Sequence, residues 1–244
     1  MTTPNLENSL HIQGSGMTHV GHVRERNEDA ILLDPTGELW AVADGMGGYG
    51  HGDVAASIVI DNLTLIEDAD QPEARLEQQI TAANAEIYDR ARRAGQTMGT
   101  TIVASMILGD VAHLAWVGDS RIYLLRDGRL SQLSKDHSVV QEMIDGGLIS
   151  KEDARHHPDR NIVTRALGVG PTVDVSFATL PMRDGDRILL CSDGLTACLT
   201  DADIAQIMEK QADLDEIASE LVQRTLDLGA PDNVSLIIVS AAKG

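Results

Sequence analysis

Residues 100–130 read TTIVASMILGDVAHLAWVGDSRIYLLRDGRL, and their punctuation decides the fold class. Three short runs rich in β-branched and apolar residues, Thr100 to Leu108, Val111 to Val117 and Arg121 to Leu125, are separated only by Gly109-Asp110 and Gly118-Asp119-Ser120. Asp127-Gly128 then turns the chain toward Leu130. Connections this short permit hairpins and leave no room for the crossover helix that parallel strands require. The sheets are therefore expected to be largely antiparallel, which argues against a doubly wound nucleotide-binding fold, and the helices are expected to cover their outer faces.

Helical periodicity lies on either side of this stretch. Asp53 to Ile66 carries Val54, Ile58 and Leu63, and a second segment places Leu76, Ile80, Ala83, Ile87 and Ala91 at spacings of three and four. Asp68 to Pro72 reads as the polar turn between them. Late in the chain Thr200-Asp-Ala-Asp203 has the form of a capping box with Asp in place of Glu, and Leu214, Ile217, Leu221 and Leu228 form another stripe. Ser138 to Ile149 starts as a helix that Gly146-Gly147 should end, and the polar Ser150 to Asn161 suggests a lid or small insert.

The chain of 244 residues, 43% hydrophobic and 23% charged, has the composition of a folded domain. Acidic residues outnumber basic ones 38 to 19, a formal charge of -19 that disfavours phosphate backbones and anionic lipid, so neither a nucleic-acid nor a membrane partner is expected. Cys191 and Cys198 lack metal or redox spacing and read as buried thiols. The start of the chain has no basic segment followed by an apolar run, and no run reaches the roughly 18 apolar residues of a membrane span. A cytoplasmic monomer is the expectation.

Aspartates recur where apolar runs end. Leu39 to Ala43 leads into Asp44-Gly45, Leu114 to Val117 into Gly118-Asp119, and Ile188 to Cys191 into Ser192-Asp193, while Asp232-Asn233 precedes Val234 to Val239. One Asp-Gly or Asp-Asn pair is ordinary turn chemistry. Four carboxylates at strand ends instead suggest a cluster of hard oxygen donors for a divalent cation. Upstream, Arg24 precedes Glu28 and Asp29, and a guanidinium suits phosphate because its planar fork donates paired hydrogen bonds.

The ordered motifs Gly-x-x-Arg-x-x-Asn-Glu-Asp (21–29), Asp-Gly-Met-Gly-Gly (44–48), Gly-Thr-Thr (99–101), Gly-Asp-Ser-Arg (118–121), Asp-His-Ser (136–138), Arg-Ala-Leu-Gly (165–168), Ser-Asp-Gly-Leu (192–195) and Pro-Asp-Asn (231–233) together resemble the bacterial PPM, or type 2C, protein phosphatases over residues 16 to 240. That resemblance implies an α+β fold, a four-layer αββα sandwich of two antiparallel sheets flanked by helix pairs. It implies an N-terminal extension over 1–15, one phosphatase domain over 16–244 and a flap insert at about 138–165. It also implies metal-dependent hydrolysis of phosphoserine and phosphothreonine in proteins, without a covalent intermediate, and a cognate Ser/Thr kinase as a possible partner through shared substrates.

In the family's pattern Asp44 bridges two Mn2+ or Mg2+ ions, the Gly45 carbonyl binds one, and Asp193 and Asp232 complete the other. Asp119 with Asp193 would hold a third, weaker ion. Glu28 and Asp29 would act through metal-bound water and Arg24 would hold the substrate phosphate. Met46 stands where eukaryotic members have a histidine proposed as general acid, which leaves that role to metal-bound water or to His51 or His137. His19 stands where many members have Asp, beside the Arg24 loop.

Two rivals remain on the sequence. Gly45 to Gly52 could be a phosphate loop, but no lysine precedes Lys135, so the usual Gly-Lys-Ser/Thr ending is missing. A catalytically inactive phosphatase fold serving as a regulatory binding protein would be expected to have lost carboxylates, and Asp44, Asp193, Asp232 and Arg24 are all present.

Overall fold

A computed structural model describes residues 10–34, 36–47, 51–66 and 70–243. Five strands form one antiparallel sheet: β1 (Leu10–His19), β11 (Val234–Lys243), β10 (Arg187–Cys191), β7 (Arg121–Arg126) and β8 (Arg129–Gln132), in that spatial order. A second antiparallel sheet runs β2 (Asp29–Leu33), β3 (Leu39–Gly47), β5 (Ile102–Leu108), β6 (Val111–Val117) and β9 (Ser176–Pro181), with the short β4 (Met98–Thr100) on the end of β3.

Alternation along the strands sorts side chains into layers. On β3, Leu39, Ala41 and Ala43 pack under α1 (Gly52–Leu63) and α2 (Pro72–Ala94), whereas Trp40 and Val42 face the other sheet. On β10, Ile188 and Leu190 point between the sheets, and Leu189 and Cys191 pack under α5 (Asp193–Cys198), α6 (Asp201–Met208) and α7 (Leu214–Asp227). The result is helix pair, sheet, sheet, helices, as the family resemblance implied.

The local signals translate directly where one element decides them. All five stripe residues of α2, from Leu76 to Ala91, are buried. Thr200 caps α6 with both halves of the capping box formed to Asp203. Asp127 and Gly128, at φ 52° and 72°, make the tight hairpin between β7 and β8. Cys191 is buried, and burial raises its thiol to about 12, while Cys198 is half-buried.

Four expectations need correction. Gly118-Asp119-Ser120 is not a hairpin: β6 and β7 lie in different sheets, so the three residues carry the chain from one layer to the other. Asp44 lies inside β3, not beyond it, because residues 45–47 continue the ladder with β4. Leu228 follows the end of α7 and is exposed. Residues 10–15, expected outside the domain, pair as part of β1 with residues 238–243 of β11. Gly48 of the Asp-Gly-Met-Gly-Gly motif, and residues 68 and 69 of the polar turn, fall outside the described residues.

Residues 138–165 contain α3 (Val139–Asp145) and α4 (Lys151–Arg155), and a bridge between Ser138 and Val163 closes the base of this segment. Among the described residues, no helix is long and apolar enough to cross a membrane.

Candidate metal centre

The apolar layer between the sheets becomes polar at one end. Continuing the alternation of Trp40 and Val42 brings Asp44 into that layer, and continuing it back from Ile31 brings Asp29 there as well. Asp29 and Asp44 are register partners across β2 and β3. Ser192 continues the inward row of β10, and its hydroxyl donates to Asp29 Oδ2 at 3.0 Å, joining the sheets at this end.

Each remaining acid is brought in by a different element. Asp193 begins α5, and its charge is felt by Asp44. Asp119 sits in the crossing between the sheets. Asp232, just before β11, receives Arg24 Nη2 on Oδ2 at 2.7 Å and the Asn233 N–H on Oδ1 at 2.9 Å.

Glu28 Oε1 accepts the Gly52 N–H at the start of α1 at 3.1 Å. Gly45 cannot carry a side chain, because a Cβ there would lie 2.3 Å from the Gly52 carbonyl oxygen and 2.4 Å from that of Glu28.

The loop bearing Arg24 is tied down by Asn233, which the sequence marked only as part of a motif. Asn233 Nδ2 donates to the carbonyls of Val20 and Arg26, both at 2.9 Å, and its Oδ1 accepts the Glu28 N–H at 2.8 Å. His19 also supports the loop: its Nδ1 accepts the Gly21 N–H at 2.9 Å. The second unforeseen support is a polar chain in which Thr101 Oγ1 contacts Ser120 Oγ at 2.7 Å and accepts the Asp44 N–H at 3.2 Å.

Electrostatics set this cluster apart. Burial, followed by the charges of Asp29, Asp193, Asp119 and Asp232, holds the Asp44 pKa well above the carboxylate range. Burial raises Asp29 to about 7, with Asp193 and Asp232 adding to the shift against the Ser192 hydrogen bond. Asp119 is raised to about 7 by burial and then by Asp193 and Asp136. Burial and Asp232 raise Asp193. Carboxylates gathered out of water with too few cationic partners keep protons or acquire a cation.

The donors are all oxygen, which suits a hard divalent ion. Among the described residues no group of three or more His, Cys, Asp or Glu side chains is arranged to hold an ion as it stands, and Asp232 is engaged by Arg24. Asp29 Oδ1, however, is buried without a hydrogen-bond partner, an acceptor left for a ligand on an otherwise satisfied carboxylate. The residues therefore fit a divalent-cation site.

The histidines are less suited to proton donation. His137 Nδ1 accepts the Gly118 N–H at 3.0 Å, and burial followed by the nearby Arg165 lowers its pKa to about 4, so the ring is neutral near pH 7. His51 caps α1 without a side-chain hydrogen bond. Met46 lies on β3 opposite Gly99 and has no proton to give.

Comparison with known proteins agrees with this architecture. The protein phosphatase 2C family model matches residues 16–228. The serine/threonine phosphatase stp of Listeria monocytogenes is 37% identical over 234 residues, covering 91% of this chain and 93% of that protein. The structure of PppA, described as a key regulatory component of T6SS in Pseudomonas aeruginosa, superposes with a TM-score of 0.88 at 38% identity, covering 96% of this chain and 100% of that one. The catalytic domain of the serine/threonine phosphatase PstP, in complex with two manganese ions, also gives a TM-score of 0.88, at 34% identity, covering 96% of this chain and 99% of that one. The chain belongs to the protein phosphatase 2C family.

Proposed function

We infer that the acidic end of the inter-sheet layer is the catalytic centre of a metal-dependent protein serine/threonine phosphatase. The observation that carries this reading is the cross-strand pair Asp29–Asp44, whose Asp29 Oδ1 is buried without a partner, within an oxygen-donor cluster in a chain of the phosphatase 2C family. Asp44, the Gly45 carbonyl, Asp193 and Asp232 are proposed to hold two divalent cations, Mn2+ or Mg2+, and Asp119 with Asp193 a third, weaker one. Bound divalent ions supply charge relief on phosphoryl oxygens and an activated water nucleophile at neutral pH.

The chain's own residues supply orientation. Arg24 lies exposed on a loop fixed by Asn233 and His19, where its fork can engage a phosphate dianion in place of Asp232. Glu28 joins that loop to the start of α1, and Glu28 and Asp29 are proposed to act through metal-bound water. Neither cysteine is presented as a nucleophile, since burial raises both thiols.

Phosphoproteins are the proposed substrates, with opposition to a cognate Ser/Thr kinase as the proposed cellular setting, and a cytoplasmic monomer as the proposed form. One phosphatase domain, with residues 138–165 as its flap, is the proposed organisation. The test is hydrolysis of matched phosphoserine, phosphothreonine and phosphotyrosine peptides with Mn2+. Turnover of the first two with little of the third supports the reading, whereas equal turnover of all three contradicts the specificity.

A further inference from the structure

Gly118 sits between β6 and Asp119 with φ 109°, and a Cβ on it would lie 2.5 Å from Thr101 Cγ2, so only glycine fits. Glycine is also the residue least able to hold its own conformation. A turn that must present Asp119 in one orientation therefore needs an external lock.

His137 supplies that lock on both sides of the same residue. Its backbone N–H donates to the Gly118 carbonyl at 2.8 Å, and its Nδ1 accepts the Gly118 N–H at 3.0 Å. With Nδ1 accepting, the ring proton of the neutral imidazole is on Nε2, which lies 3.1 Å from Ser176 Oγ on β9.

The same residue holds the base of segment 138–165. The His137 carbonyl accepts the Thr164 N–H at 2.8 Å, and Ser138, the next residue, bridges to Val163 and caps α3. Arg165 Nη1 donates to the Asp174 carbonyl at 2.9 Å. Asp136, the preceding residue, takes the Arg121 fork at 2.7–3.1 Å, so the far side of the Gly118-Asp119-Ser120 crossing is fastened to the same loop.

We propose that His137 is a positioning residue that couples the 138–165 segment to Asp119 by locking the Gly118 turn. The two ring nitrogens do separate work: Nδ1 fixes the turn, and Nε2 anchors the imidazole against β9. The role is one of geometry, and it rests on the reading of Asp119 as a ligand of a weaker cation.

Two near-isosteric substitutions separate the functions. Asn places an acceptor near the Nδ1 position and Gln places one near Nε2, so His137→Asn keeps the Gly118 contact and His137→Gln loses it. Both leave the backbone bonds of residue 137 intact. The metal-free readout is amide hydrogen exchange, and the loaded readout is Mn2+ titration by calorimetry together with kcat and KM for a phosphothreonine peptide.

The expected result is faster exchange across 118–120 in His137→Gln than in His137→Asn, with the weakest Mn2+ site loosened about 10- to 100-fold in the Gln variant, the usual effect of removing an outer-shell partner. The tighter Mn2+ sites and the melting temperature should stay close to the parent in both, and the loss should fall on kcat with the Gln variant more affected. Equal exchange in the two variants, or equal loss of all Mn2+ sites, overturns the proposal. Failure of the parent protein to show any Mn2+-dependent hydrolysis would instead overturn the functional reading beneath it, and the exchange comparison still decides whether His137 locks the turn.

Discussion

Asp29 and Asp44 face each other directly across the β2–β3 ladder, two acids in one cross-strand pair. Side chains so placed lie about 4.5–5.5 Å apart at Cβ, where like charges repel. A sheet built to fold without ligands would not place two aspartates there, and this pair is the structural cost of the proposed catalytic centre.

That cost has a measurable pH dependence. Burial raises Asp29 to about 7, above the roughly 3.9 of an unfolded-state aspartate, and Asp44 and Asp119 move in the same direction. Between pH 4 and 7 the folded metal-free protein therefore binds more protons than the unfolded chain, and stability falls as pH rises through that window. Thermal melts of chelator-treated protein should give a higher Tm at pH 5 than at pH 7.5, and Asp29→Asn should flatten part of the slope. A parent slope of opposite sign would show that the acids are ionised without penalty.

Arg24 is paired with Asp232 at 2.7 Å in this structure, yet both groups stay partly exposed, so the contact is exchangeable. Charge-assisted hydrogen bonds are worth about 1.5–3 kcal/mol, so Arg24→Ala should lower kcat/KM for a phosphopeptide by about 10- to 100-fold. Arg24→Lys should recover only part, because the paired donor geometry is lost. Unchanged steady-state kinetics in both variants would reduce Arg24 to a partner of Asp232.

The Asp119 carboxyl is raised to about 7, chiefly by burial and then by the charge of Asp193. Asp119→Ala should leave the fold and two tighter cations in place and remove a weaker one. Activity toward phosphopeptides, whose alkoxide leaving group needs a proton, should fall far more than activity toward p-nitrophenyl phosphate. Equal loss of both activities in parallel assays, or an unchanged metal count, would contradict that assignment.

Far from the site, at the opposite end of β10, Arg126 forks onto the buried Asp186 at 2.6 and 2.8 Å, and Asp186 Oδ2 also accepts the Arg183 N–H. Removing Asp186 leaves Arg126 with access to solvent and the Arg183 N–H without its acceptor, a loss of about 1–3 kcal/mol. Asp186→Ala should show that order of loss in urea unfolding while kcat of the folded enzyme is unchanged. A loss below about 1 kcal/mol would place the pair in the class of exposed ion pairs.

What was legible in the sequence is what short segments decide alone. The α2 stripe, the Thr200 capping box and the Asp127-Gly128 hairpin each depend on a few neighbouring residues, and each formed as read. The sheet crossing at 118–120 was not legible, because three residues with Gly and Asp serve a hairpin equally well and the difference lies in the pairing of β7 with the remote β10. The acids were found through their recurrence at the ends of apolar runs. Their supports, Asn233, Ser192 and His19, were harder to read because their partners lie on remote segments or on backbone atoms. Glu28 shows the same limit, since its bond to Gly52 depends on where α1 begins in space.

The most direct test is hydrolysis of a phosphothreonine peptide by protein stripped of metal and then titrated with Mn2+, beside Asp44→Asn treated identically. Stripped parent protein should be inactive and recover with Mn2+, and Asp44→Asn should remain at least about 100-fold slower at every concentration, the scale expected when a residue central to transition-state stabilisation is lost. Full turnover by the rigorously stripped parent, or recovery of Asp44→Asn to the parent rate, would contradict the assignment of this acidic cluster as a metal-dependent phosphatase centre.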